Sequence, residues 1–175
     1  MKKRGHVITM ANIKGGVGKT TAVVNLAYLL TTEFKFKVLV IDSDDQGNAT
    51  KALGVREKFN RDNQTLWNAL EKKLSYKECM IQSDFPGLFV LPATKQLRNA
   101  QLVFGQSARG MKLFRHLLAD VELDFDFVLI DTKPQINILL QAALASSSWY
   151  LIPSFPESCA IPSDLASLAT WRSHR

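Results

Sequence analysis

Ile13-Lys14-Gly15-Gly16-Val17-Gly18-Lys19-Thr20-Thr21 decides how the rest of this 175-residue chain is read. An apolar run, His6-Val7-Ile8-Thr9-Met10, precedes it, and a helix-patterned segment, Thr20 to Leu30, follows. The order is strand, glycine-rich turn, helix N-terminus. Three glycines within four residues let the backbone curl with its N–H groups facing inward, because no Cβ blocks the approach. The first turn of the helix adds unpaired N–H groups and the positive end of its dipole. Together these make a phosphate cradle. Lys19 is placed to reach β- and γ-phosphates, and the Thr20 hydroxyl can ligate Mg²⁺.

The ordinary phosphate-loop pattern, G-x-x-x-x-G-K-[ST], does not fit, since its first glycine would fall on Ile13. The loop carries instead a second lysine, Lys14, which the turn itself does not need. Lys14-Gly-Gly-Val-Gly-Lys19-Thr-Thr resembles the deviant Walker A motif of the ParA/MinD/Soj ATPase family. The resemblance implies an α/β fold, a P-loop NTPase with a mostly parallel β-sheet flanked by helices. It implies that Lys14, Gly15, Gly16, Val17, Gly18, Lys19, Thr20 and Thr21 bind ATP. It further implies an ATP-dependent sandwich homodimer in which Lys14 reaches the nucleotide held by the partner, where its charge stabilises the transferring phosphoryl group.

Two further strands end in carboxylates. Lys37-Val38-Leu39-Val40-Ile41 is a continuous β-branched run, as expected of a strand covered on both faces, and it leads into Asp42-Ser43-Asp44-Asp45-Gln46-Gly47-Asn48-Ala49-Thr50. Carboxylates at the C-terminal end of a parallel strand sit where ligands bind in open α/β sheets. If strand geometry continued, Asp42 and Asp44 would point the same way. The stretch resembles the family's D-x-D-P-Q-G-N-A-T motif. That implies that Asp42 helps hold Mg²⁺ through water and that Asp44 orients or deprotonates the attacking water. Asp45 stands where the family has proline, which removes a rigid φ and adds a third negative charge. Phe125-Asp126-Phe127-Val128-Leu129-Ile130-Asp131 is the clearest strand and resembles a Walker B strand, whose Asp131 would contact Mg²⁺ through water. The family continues D-x-P-P; this chain has Asp131-Thr132-Lys133-Pro134. Lys133 either strengthens anion binding or points to solvent.

Composition is that of a single globular domain over residues 1–175, with 46% hydrophobic and 22% charged residues. No apolar run reaches the roughly 18 to 20 residues that span a bilayer, so no membrane partner is expected. The basic start, Met1-Lys2-Lys3-Arg4, leads into a first strand and not a signal peptide. The two cysteines, Cys79 and Cys159, have no paired or metal-ligand spacing and read as reduced thiols of a cytosolic protein. This disfavours the iron–sulfur members of the superfamily. The net charge of +6 is uneven: residues 51–115 hold 12 basic and 5 acidic groups, and residues 116–175 hold 3 and 7. The middle third is either a polyanion contact or a lysine-rich solvated surface.

Elsewhere the patterning predicts a short helix at Thr65–Glu71, with Thr65 as its cap and Trp67 in the core. It also predicts a strand at Leu88–Pro92 and helical patterning from Leu97 to Leu118, interrupted around Gly105 and Gly110. A helix at Asn137–Ala145, a strand at Trp149–Pro153 and a last helix from Ser163 to Leu168 complete the series. The family places adenine-side contacts after the strand at 149–153, which makes Pro153 a nucleotide-binding candidate. Relatives continue for several strands and helices beyond Arg175, so an uncovered sheet edge is expected.

The function the resemblance implies is a ParA-like partition ATPase. ATP would drive dimerisation and non-specific DNA binding, and a ParB-like partner would stimulate hydrolysis, in a cytoplasmic, nucleoid-associated protein. Two alternatives belong to other classes. One is a MinD-like membrane-positioning ATPase, which needs an amphipathic helix that Ala160–Arg175 matches poorly. The other is a nucleotide-binding regulator whose hydrolysis Asp45 and Lys133 have impaired.

Overall fold

The computed structural model describes residues 4–59, 63–105 and 110–154. Its elements are β1 (His6–Met10), α1 (Lys19–Thr32), β2 (Val38–Asp42), α2 (Asn48–Ala52), α3 (Leu66–Leu70), α4 (Tyr76–Cys79), β3 (Ile81–Gln82), β4 (Leu88–Leu91), α5 (Ala100–Phe104), α6 (Leu113–Val121), β5 (Phe127–Asp131), α7 (Ile138–Ser146) and β6 (Trp149–Leu151). A 3₁₀ turn, Lys95–Asn99, joins β4 to α5, and a second, Gly110–Lys112, leads into α6.

The six strands lie in the order β3-β4-β2-β5-β1-β6, parallel throughout except for β3, which pairs antiparallel with β4. The apolar runs at β2 and β5 become the sheet centre because both of their faces are covered. Alternation divides their side chains between two cores. Val38, Val40 and Leu129 pack with Val23 and Ala27 of α1, whereas Leu39, Ile41, Val128 and Ile130 face the layer of α3, α5, α6 and α7. In α1 the buried positions Lys19, Val23, Ala27 and Thr31 recur every four residues, which is one helical stripe.

Most predicted elements lie within a residue or two of their observed bounds. Thr65 caps α3, accepting a hydrogen bond from the Asn68 amide at 3.3 Å, and Trp67 is buried against Phe104 with ring centroids 5.5 Å apart. The helical patterning read from Leu97 to Leu118 breaks at the two glycines expected: α5 ends before Gly105 and helical structure resumes at Gly110, each α-helix being entered through a 3₁₀ turn. Neither the two-residue strand β3 nor the one-turn helices α2 and α4 is long enough to show a period in sequence. The helix expected at Ser163–Leu168, and Cys159, fall outside the described residues; Cys79 is a buried free thiol. Trp149, Tyr150 and Leu151 of β6 are exposed, Trp149 by 62%.

Candidate functional site

At the C-terminal end of the parallel strands, the loop after β1 has the geometry its glycines predict. Gly16 and Gly18 adopt φ of +73° and +86°, left-handed values that disfavour any side chain, and Gly18 is the N-cap of α1. A Cβ added at Gly15, Gly16 or Gly18 meets no atom within 4 Å, so the space beside the loop's glycines is open. Lys19 is only 6% exposed and folds back to donate from Nζ to the Lys14 carbonyl at 3.2 Å. Burial lowers its pKa, while the charges of Asp131 and Asp44 act in the opposite direction. Lys14 differs: its side chain is exposed at the rim of the same loop.

The loop is anchored by a residue that the sequence reading passed over. Asn12 is buried; its Oδ1 accepts from the Lys14 amide at 2.9 Å and its Nδ2 donates to the Pro153 carbonyl at 2.8 Å. It therefore ties the phosphate loop to the end of β6, where Pro153 lies. The signal was present as a polar residue ending an otherwise apolar strand.

The aspartates separate into different tasks. Asp42 and Asp131 are register partners at the ends of neighbouring strands, and both are fully buried. Both oxygens of Asp42 are engaged: Oδ2 accepts from the Thr50 amide (2.8 Å) and hydroxyl (2.7 Å), and Oδ1 from the Asp44 amide (3.2 Å). Asp42 thus braces the loop and α2. Asp131 accepts from the Thr20 hydroxyl at 2.7 Å through Oδ2, while its buried Oδ1 has no hydrogen-bond partner. An orphaned carboxylate oxygen beside a threonine hydroxyl suits a hydrated divalent cation, because Mg²⁺ keeps several waters and takes few protein ligands. Among the described residues, no group of three or more His, Cys, Asp or Glu is placed to hold a metal ion. The Asp42–Asp44 alignment expected from strand geometry is not seen: β2 ends at Asp42, and the chain turns so that Asp44 Oδ1 accepts from the Gln46 amide at 2.9 Å.

Asp45 and Lys133 overturn two expectations together. Asp45 does not add an unbalanced charge, and Lys133 points neither at solvent nor at the phosphate cradle. Lys133 Nζ donates to Asp45 Oδ1 at 2.5 Å, and Arg98 Nε donates to Asp45 Oδ2 at 2.6 Å. Burial by itself would raise the Asp45 pKa, but hydrogen bonds from Lys133 and Arg98 outweigh it and hold the carboxyl below its ordinary value.

Burial pushes Asp42 up to about 7, against its hydrogen bonds from Thr50, and Asp131 up to about 6, against that from Thr20. Unfolded, both would release their protons near the ordinary aspartate value of 3.8. The native state therefore binds more protons than the unfolded chain between these limits, so stability falls as pH rises across the interval. Nucleotide-free protein should melt at higher temperature at pH 5.5 than at pH 8, by about 5 °C for roughly 2 kcal/mol in a chain of this size. A melting temperature that rose with pH over this range would contradict the burial of these two groups.

Fold and loop together define a chain of the P-loop NTPase fold. The chain belongs to the AAA domain family, whose pattern it matches over residues 5–169, and within it resembles the ParA/Soj partitioning proteins. It is 34% identical over 150 residues to the chromosome partitioning protein ParA of Caulobacter vibrioides (strain NA1000 / CB15N), covering 85% of this chain and 55% of that protein. Against the sporulation initiation inhibitor protein Soj of Bacillus subtilis (strain 168), identity is 37% over 150 residues, covering 85% and 58%. The chain thus spans little more than half the length of these relatives. Among solved structures, a plasmid partition protein from Borrelia burgdorferi B31 bound to AMPPNP superposes with a TM-score of 0.84 at 29% identity, covering 97% of this chain and 71% of that one.

Proposed function

We propose that this chain is the nucleotide-binding part of a ParA-like partition ATPase. The observation that carries the reading is the pair of lysines on one open glycine loop, Lys19 folded inside it and Lys14 exposed at its rim. A cation inside the cradle serves the phosphates of the bound ATP. A cation at the rim can reach a nucleotide held by a second copy. In this reading Gly15 to Thr21 cradle the phosphates, and Pro153, tied to the loop through Asn12, borders the adenine side. Thr20 and Asp131 hold Mg²⁺, which when bound neutralises charge on the phosphate oxygens. Asp42 supports this shell by holding the loop that follows β2, and Asp44 orients the attacking water.

The partners proposed are a second copy, non-specific DNA and a ParB-like stimulator, in a cytoplasmic, nucleoid-associated setting. Several basic residues of the middle third are already paired, Lys58 with Asp84, Lys73 with Glu71 and Lys77 with Asp124. Lys51, Lys72, Lys95, Lys112 and Arg115 remain exposed as candidates for phosphate contact. No described helix is long and apolar enough to cross a membrane, and the segment on which MinD-like membrane association would rest, 160–175, lies outside the described residues.

Turnover of labelled ATP with and without duplex DNA, together with sedimentation in ATP, tests the reading. Lys14→Ala should leave nucleotide affinity within about twofold, abolish the ATP-dependent shift to dimer and lower turnover at least tenfold, roughly the size expected for loss of one charge aimed at a phosphoryl group. Full turnover and dimerisation in that variant would defeat the assignment. Binding of ATP without turnover under any of these conditions would favour the regulator reading instead.

A further inference from the structure

The two positions at which this sequence departs from the family pattern, Asp45 and Lys133, lie 88 residues apart and meet in space. Arg98 joins them, and Gln46 Nε2 also donates to Asp45 Oδ2 at 2.9 Å. The cluster draws on the segments following β2, β5 and β4, three strands that are neighbours in the sheet. The Asp45 side chain is 3% exposed, while Arg98 and Lys133 reach it from more open positions, and all three line one cavity. A carboxylate buried to this degree stays ionised only while its partners remain, and loss of one partner leaves an uncompensated charge.

We propose that Lys133 and Arg98 are positioning residues. Through Asp45 they clamp the loop 43–47, and with it Asp44, against the ends of β4 and β5 before any nucleotide arrives. The start of the loop is tied to β5, where the Ser43 amide (2.9 Å) and hydroxyl (2.6 Å) donate to the Asp131 carbonyl; beyond it the turn is closed by the Gln46 amide on Asp44 Oδ1 (2.9 Å) and the Gly47 amide on the Asp44 carbonyl (2.9 Å). A proline at position 45 would stiffen this loop by fixing φ; here an ion-paired side chain does so from outside the backbone. Lys133 is consumed in the clamp and adds no charge to the phosphate cradle. The effect on turnover rests on the ATPase reading above; the effect on the loop does not.

Hydrogen exchange of the Gln46 and Gly47 amides in the full chain, free of nucleotide, reads the clamp directly. Lys133→Met should speed their exchange by about tenfold or more, because it strands the Asp45 charge. Adding Asp45→Asn should bring the rates back towards those of the parent, and Lys133→Arg should preserve them. Arg98→Met, which removes the more exposed cation, should move the same amides in the same direction and serves if Lys133→Met does not fold. Unchanged exchange in the foldable variants, or no recovery in the double variant, would overturn the proposal. With ATP, Lys133→Met should lower kcat and leave KM unaltered, recovering with Asp45→Asn. A parent protein that bound no ATP would sink the ATPase reading and still leave the exchange experiment decisive for the clamp.

Discussion

Lys19→Ala should abolish measurable ATP binding. The buried ammonium is the one cation folded inside the glycine loop, and burial has already lowered its pKa, so part of its desolvation cost is met in the folded protein. Reaching two phosphates, it would make two charge-assisted hydrogen bonds of about 1.5–3 kcal/mol each. Their loss weakens binding by at least a hundredfold, roughly 3 kcal/mol or more. The fold should survive, because the hydrogen bond lost, from Nζ to the Lys14 carbonyl, lies within the loop itself. Calorimetry with ATP and Mg²⁺ on a variant of native circular dichroism decides the matter. Undiminished heat and affinity would remove the foundation of the site.

Asp44→Asn should stop turnover while leaving binding in place. Alanine at this position would confound two effects, because Asp44 Oδ1 also accepts the Gln46 amide that closes the loop. Asparagine keeps that acceptor and removes the charge that orients or deprotonates water. The expected fall in kcat is about 10²–10⁴-fold, the usual range for loss of a positioned base, with KM within about threefold. A single-turnover experiment should show ATP bound and persisting. Rapid hydrolysis by this variant would transfer the task to another group, and the clamp proposed for Asp45 would lose its mechanistic purpose even if its exchange signature held.

Much of the architecture was legible because it is written at short range. Glycine torsions are local, so residues 15–18 announced an open cradle before any fold was known, and Gly16 and Gly18 take the positive φ that only glycine adopts freely. Continuous apolar runs at 38–41 and 127–130 announced strands covered on both faces, and both lie at the centre of the sheet. Short elements resisted reading for the same reason in reverse. A two-residue strand such as Ile81–Gln82 has no period, and while Gly105 and Gly110 marked the breaks in the helical pattern across Leu97–Leu118, the pattern could not show that each helix there begins in a 3₁₀ turn.

The site itself was legible by residue type and illegible by partner. Asp42 reads as a metal-side carboxylate; only the fold shows that its oxygens also accept from Thr50 and Asp44, while Asp131 keeps an unpartnered oxygen beside Thr20. Asp45 and Lys133 read as two separate defects, one adding negative charge and one positive. They are one ion pair.

By itself, the amino-acid sequence determined the phosphate loop, the central strands, the carboxylates at their ends and the presence of two lysines in one turn, because each depends on torsions or periodicities within a few residues. Tertiary structure alone decided the strand order, the bridge from Asn12 to Pro153 across 141 positions, and the pairing of Asp45 with Arg98 and Lys133 across 53 and 88. The physical reason is that a charge or an amide takes as partner whatever the packed strands bring within about 3 Å of it, and that neighbour is chosen by burial of the sheet's two faces.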